Sequence, residues 1–430
     1  FMLLRNEMPA ETVQRVESAI RKAATFIAAG ESEEDHLANH HAMGCLAVWE
    51  ASRLLNDSVL EQGFDRLWQG FLSYRGDDDG WFREYDGVDP GYLSAVVSFL
   101  GKISKTRRDP ELLAVAEKAA EFCSYFAYPD GFYSGSMGSR NTTHFYPHGF
   151  EILGLKSVVA MAVAENMLQA LSEGKLVPPE IMSDRYLVYR VPEFLQSYLD
   201  YTPRSETIEP LPYQRAPFRK YFSGARTYAA VNGDRYVIAN LAKGGVLKVF
   251  NRLSGRLLLN DCGLIGRLAD GQVVTTQWID DAHECEADGN RWKVSGSFNA
   301  VPSHKLFTPL KQVLFRVALM TAGRIPYLAH LLKGYIRKVL IMGQHPVSAR
   351  FSRRYRDDGE EITIVDEVQL DGGIRFERLV VGGESSVRYV PQSRYFQAYE
   401  LEVIGRDLSR EELDTLNTER SLTITRTVES

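Results

Sequence analysis

Residues 78–100 read DDGWFREYDGVDPGYLSAVVSFL. Two grammars meet in this stretch. Asp78 to Val88 is a polar loop carrying the rings of Trp81, Phe82 and Tyr85. From Tyr92 onward, Tyr92, Val96, Phe99 and Ile103 recur at helical spacing. Asp89-Pro90 joins the two. The Asp side chain can accept from free backbone N–H groups, and the fixed φ of proline suits the first helical position.

The same pattern extends in both directions. Val13, Val16, Ile20, Ala24 and Ile27 predict a helix that Gly30 stops, a second helix runs from about His36 to Leu55, and a third carries Leu60, Phe64, Leu67, Phe71 and Leu72. Downstream, Asp109-Pro110 repeats the capped start ahead of Leu113, Val115, Ala119 and Phe122, and a further helix is predicted from near His148 to about Leu171. No strand is expected here. Three polar loops each lead into a helix, at 30–41, 75–92 and 128–151. His40 and Tyr92 are 52 residues apart, and Tyr92 and His148 are 56 apart. That interval is about two helices and two loops, and stacked helix pairs place equivalent loops on one rim. Only three or four pairs fit, so the ring would be incomplete.

The grammar changes from about Tyr213. Runs such as Tyr236-Val237-Ile238 and Ile362-Thr363-Ile364-Val365 are bounded by Asn232-Gly233, Ser254-Gly255, Asp270-Gly271, Asp288-Gly289, Asp358-Gly359 and Asp371-Gly372. Such turns between β-branched runs predict antiparallel hairpins. Pro203, Pro210, Pro212 and Pro217 mark a linker. The expected fold is therefore α+β and multidomain. An incomplete (α/α) toroid of helical hairpins spans 1–205, and an antiparallel β-sandwich with a helical insertion spans 206–430.

Composition bounds the function. The chain has 430 residues, 44% hydrophobic and 25% charged, which is globular and long enough for two or three domains. The net charge of -6 excludes a nucleic-acid binder held by bulk charge. Cys45, Cys123, Cys262 and Cys285 form no CxxC pair, which argues against a zinc ribbon, a redox motif or a disulfide framework. Neither metal nor cofactor is expected. No apolar run of about eighteen residues predicts a transmembrane helix. Arg5, Glu7 and Glu11 interrupt the opening apolar residues, so no signal peptide is expected. A start at Phe1 fits a fragment or a processed product, and a bacterial periplasmic or cytoplasmic setting is compatible with this. The sequence sets no oligomeric state.

Several clusters could carry chemistry. Asn39-His40-His41 offers an amide for a carboxylate and an imidazole for proton transfer, or else a plain polar helix start. Tyr92 sits in the first turn after Asp89-Pro90, where the helix dipole would stabilise a phenolate; the alternative is an aromatic that opens the apolar stripe. Arg140, His144, His148 and Glu151 lie in a long loop rich in Gly, Ser and aromatics. Asp77-Asp78-Asp79-Gly80 lacks the later ligands of an EF-hand and reads as a solvated turn.

A separate signal lies in the second half. Between Gly289 and Arg356 there is no Asp or Glu among 68 residues and there are 13 Lys or Arg, so the rest of the chain is strongly acidic. Its centre, 306–342, predicts two basic amphipathic helices broken near Gly323 and Pro326. Such helices lie on anionic membrane surfaces, hold polyanionic glycans, or pack on the sheets beside an acidic domain.

The order of these features resembles the heparinase II/III-like family, within the toroid-plus-sandwich polysaccharide lyases. HLANHHAMGCLAVWEASRLL (36–55) looks like its Asn-His helix, and 78–100 looks like its segment leading to a Tyr in the next helix. The resemblance covers the helical half in order and the β half only in architecture. It implies β-elimination of an acidic, uronate-containing polysaccharide. Asn39, with His40, would neutralise the uronate carboxylate, and Tyr92 would be base, acid or both. His144 or His148 would be the second proton-transfer group. Arg140 would hold acidic sugar groups, and Trp81 and Tyr85 would stack on sugar rings. His41, Arg83, Glu84 and Glu151 would complete the substrate contacts. The family's usual Glu-Arg-Ser segment is replaced here by Arg83-Glu84-Tyr85-Asp86, and the helical domain is shorter than a full toroid. Two other readings stay open. A glycoside hydrolase would need two opposed carboxylates, such as Glu84 or Asp86 with Glu151. A non-catalytic glycan-handling or membrane-peripheral protein would need 306–342 exposed with one apolar face.

Overall fold

The computed structural model describes residues 1, 4–30, 37–178, 180, 182, 184–205, 207–301, 308–325, 327–329, 331, 345–382 and 405–429. The chain divides into two compact units. One comprises 1–127 and 144–211, the other 128–143 and 212–430. The split between the units near the linker falls at 211/212, and 128–143 is grouped with the β unit.

The first unit contains α1 (Ala10–Ala28), α2 (Ala38–Leu55), α3 (Ser58–Leu72), α4 (Pro90–Ser104), α5 (Pro110–Ser124), α6 (His148–Leu153), α7 (Val158–Ser172) and α8 (Asp184–Leu199). Local capping sets the starts. Asp89 Oδ1 accepts from Tyr92 N at 3.2 Å, and Asp109 Oδ1 accepts from Glu111 N and Leu112 N at 3.0 and 3.2 Å. α2 packs on α3 and α4, and α4 packs on α5 and α6. The crossing of α4 and α6 is close because Gly149 has no side chain. A Cβ there would lie 2.3 Å from Val97 O and 2.4 Å from Ser98 Cα. The single helix expected over 148–171 is two helices. The chain breaks after Leu153, and Ser157 restarts it by accepting from Ala160 N at 3.2 Å. α8 was not anticipated, because Pro192 interrupts it and Val188, Leu195 and Leu199 are exposed instead of forming a buried stripe.

The second unit is antiparallel. Its first sheet is a meander of β1 (Phe218–Phe222), β2 (Thr227–Asn232), β3 (Arg235–Asn240), β4 (Val246–Asn251) and β5 (Leu257–Asp261). Its second contains β6 (Leu264–Leu268), β7 (Val273–Thr275), β8 (Glu284–Asp288), β9 (Arg291–Ala300), β10 (Pro346–Asp357), β11 (Glu361–Leu370), β12 (Phe376–Val381), β13 (Arg406–Asp407) and β14 (Ser421–Glu429). The described order is β13-β12-β6-β7-β9-β10-β11-β14, with β8 also on β9. Between β9 and β10 lies α9 (Pro309–Met320), and α10 (Arg410–Glu419) precedes β14. The second basic helix expected within 306–342 falls largely outside the described residues.

Both sheets feed one apolar core. Tyr228, Val237 and Leu247 from the first meet Trp292, Val294, Phe351 and Ile364 from the second. Five of the six turn dipeptides close hairpins, as their positive-φ glycines allow. Asp371-Gly372 does not. β11 is already paired with β10 and β14, so the chain leaves and β12 joins β6 instead. A buried ion network spans the sheets. Arg353 bonds Asp261 at 2.8 Å and Asp366 at 2.6 Å, and Arg426 reaches the same two carboxylates at 2.6 and 2.7 Å.

Candidate active site at the first turns of two helices

Asn39, His40 and His41 lie in the first turn of α2, and Tyr92 lies in the first turn of α4. The 81–89 loop ties these two ends together. Ala38 N donates to Arg83 O at 3.3 Å, Leu37 and Glu84 form an isolated bridge, and Glu84 N donates to Gly87 O at 2.7 Å. The loop thereby carries the Glu84 side chain, which is 2% exposed, under the start of α2. Glu84 Oε2 accepts from Asn39 N at 3.0 Å, and Glu84 Oε1 accepts from Asn39 Nδ2. The carboxylate satisfies one of the orphan N–H groups of α2 and fixes the orientation of the Asn39 amide.

Tyr85 follows at φ +60°, a left-handed backbone that is rare for an aromatic residue. Its ring centroid is 6.4 Å from that of Tyr92. Asp89, 1% exposed, caps α4 by accepting from Tyr92 N and so holds the turn that carries the phenol. His40 and Tyr92 are half-buried, and Arg83 is exposed. His41 Nε2 lies 3.0 Å from Tyr74 Oη, with ring centroids 4.6 Å apart. Asn39, His40, Arg83, Glu84, Tyr85 and Tyr92 are therefore linked through one loop. Trp81 is drawn into the core instead of standing open to a sugar ring: it is 5% exposed and lies over Gly76, where a Cβ would meet the ring at 1.9 Å.

The later residues of the helical unit form a closed polar cluster around α8. His148 Nε2 is 2.6 Å from Asp200 Oδ2, with the ring 3% exposed. Burial lowers its pKa, against the raising effect of the Asp200 hydrogen bond. His144 is 1% exposed and is pushed down to about 3, first by burial and then by the charge of Arg190, so it is neutral across the ordinary pH range. Arg190 lies 4.3 Å from the Tyr146 ring centroid and 5.1 Å from that of Phe194. Glu193 accepts from Ser98 Oγ at 2.8 Å and pairs with Lys102. Glu151 is clasped by Arg204, with 2.7 Å bonds to each carboxylate oxygen, and also accepts from Thr202 N at 3.2 Å. A carboxylate held in that way is a structural anchor, which counts against Glu151 as the partner of Glu84 or Asp86 in a hydrolase pair.

Arg140 belongs to the β unit. Its loop is clasped from β3 and the turn after it. Asn240 Nδ2 donates to Met137 O at 2.7 Å, and Lys243 Nζ donates to Ser136 O and Gly138 O, both at 2.7 Å, and to Asn141 Oδ1. Tyr128 stacks on Phe250 with centroids 5.0 Å apart and donates to Ser134 O at 2.7 Å. Sequence reasoning did not find these partners, nor Glu84 as the partner of Asn39. Contacts across 45 or 103 residues leave no spacing signal in a single chain.

No family model matches the chain, and no curated protein matches it by sequence. Solved structures do resemble it. The Streptomyces coelicolor A3 chondroitin AC lyase in complex with chondroitin sulphate is 11% identical, with a TM-score of 0.49 over 88% of this chain and 53% of that one. A mutant of the heparan sulfate lyase HepC from Pedobacter heparinus is 9% identical, with a TM-score of 0.25 over 80% of this chain and 55% of that one. The unmutated HepC gives 10% and 0.22 over the same shares. The chain spans a little over half the length of each.

Proposed function

We propose that the chain is a polysaccharide lyase of the toroid-plus-sandwich kind, which cleaves a uronate-containing glycan by β-elimination at the first turns of α2 and α4. The observation that carries this reading is the Glu84–Asn39 clasp, joined through Tyr85 to Tyr92. It fixes an amide in the same first turn as the half-buried His40, on a loop that leads to the half-buried Tyr92, and an amide, an imidazole and a phenol are groups suited to neutralising a carboxylate and moving a proton.

In this mechanism Asn39, with His40, hydrogen-bonds the uronate carboxylate, so the charge that develops on deprotonation is stabilised. Tyr92 removes the C5 proton, and the electron pair forms the C4=C5 double bond as the C4–O bond breaks. The leaving oxygen takes a proton from Tyr92 or His40. Arg83 and Tyr85 line the substrate side, where the Arg83 guanidinium suits acidic groups of the glycan. His144 and His148 take no part in the proton transfer here: a base held at about 3 accepts a C5 proton poorly, and His148 is engaged by Asp200. The hydrolase reading is weaker, since Glu84 and Glu151 are each engaged by side chains of the protein.

The test is ultraviolet absorbance of the unsaturated uronate during incubation with uronic-acid polysaccharides, chondroitin sulfate and heparan sulfate among them. The wild-type chain should generate signal, and Tyr92→Phe should lower the rate by about 10²–10⁴ while remaining folded. New reducing ends without unsaturation would instead establish hydrolysis.

A further inference from the structure

α9 leaves one apolar stripe open along most of its length, and Leu319, on the opposite side from Leu310, is exposed as well, by 45%. Phe315 and Ala318 are half-buried. Leu310, Val313, Leu314, Val317 and Met320, at i, i+3, i+4, i+7 and i+10, are exposed by 69, 58, 59, 52 and 64%. Beyond the helix, Ile325, Tyr327 and Leu328 are exposed as well. A contiguous apolar stripe of this kind on a water-facing helix marks a surface that something else covers. Charge says what covers it. Arg316 and Arg324 flank the stripe and are exposed, and the sequence from Gly289 to Arg356 contains no acidic residue.

We infer that α9 and the residues following it dock on an anionic lipid surface, with the stripe from Leu310 to Met320 at the acyl boundary and the arginines at the headgroups. An amphipathic helix with this division lies in the plane of a membrane and draws on both apolar burial and attraction to acidic lipid. No helix among the described residues is long and apolar enough to cross a membrane. A second copy of the chain is a poorer occupant of the same stripe, because symmetric pairing would bring two acid-free basic segments together. This inference stands apart from the lyase reading.

The experiment is co-sedimentation of the full chain with vesicles of phosphatidylcholine alone or mixed with phosphatidylglycerol, at low and raised salt. The chain should sediment with the phosphatidylglycerol vesicles and be released by salt. Leu314→Glu with Val317→Glu should reduce partitioning at least tenfold. Arg316→Gln and Arg324→Gln should each weaken it about fivefold. These positions are exposed, so circular dichroism should be unchanged. Failure to sediment with either vesicle would overturn the inference. So would equal binding to both vesicles, or a self-associated species in light scattering that Leu314→Glu with Val317→Glu dissolves.

Discussion

Two polar clusters in this molecule use similar groups to different ends. In the β unit, Arg353 and Arg426 face Asp261 and Asp366, so two cations meet two carboxylates in a buried network. In the helical unit, Glu84 is as deeply buried but takes backbone and amide donors from Asn39, in the same first turn as the half-buried His40. The first arrangement balances charge and fixes the packing of two sheets. The second orients an amide at the start of a helix. Buried ionic groups by themselves are therefore poor guides to a site. What marks the candidate site is an oriented amide in the same first turn as a half-buried imidazole.

The contrast can be broken most sharply at Arg353. Arg353→Met should lower unfolding stability by about 3–5 kcal/mol in urea, because Asp261 and Asp366 lose their central cation. The pH dependence has a definite sign. Burial would raise the pKa of Asp261, but Arg353 and Arg426 outweigh it and hold the carboxyl at about 2. Its stabilising contribution is complete above the unfolded value of about 3.9 and is lost as pH falls towards 2. Arg353→Met should flatten that acid limb, and an unchanged limb would remove the network from the account.

A smaller effect is expected at Glu84. Glu84→Gln keeps the shape but leaves one carbonyl oxygen to serve both Asn39 donors, so stability should fall by about 1–2 kcal/mol. Turnover should fall with little change in KM for a substrate that Asn39 orients mainly in the transition state. A double-mutant cycle with Asn39→Ala should give a coupling of about 0.5–3 kcal/mol, and additivity would show that the clasp does not act as a unit. The smallest effect belongs to Arg378→Ala. Its two-pronged pair with Asp407 is short, at 2.6 and 2.8 Å, but both side chains are more than half exposed. Solvent screening should keep the change within about 1 kcal/mol.

Much of the fold is legible where the cause is local. Asp89-Pro90 and Asp109-Pro110 start α4 and α5 because the cap and the first turn are the same few residues. Asn232-Gly233 turns β2 into β3 for the same reason. The site was legible only in part. Asn39 and Tyr92 stand out by their places in first turns, but Trp81 reads like an open ring and is buried over Gly76. Glu151 reads like a free acid and is clasped by Arg204.

The sequence by itself determined the helical first half, the hairpin-rich second half, the capped turns bearing Asn39 and Tyr92, and the acid-free stretch around α9. Each follows from periodicity, from a cap within reach of its own backbone, or from composition. Tertiary structure decided that Glu84 orients Asn39, that Asp200 engages His148, that Lys243 clasps the loop of Arg140, and that β12 leaves β11 for β6. Those outcomes depend on which donor meets which acceptor across tens of residues, and that choice is made only when the chain has packed and excluded the alternatives.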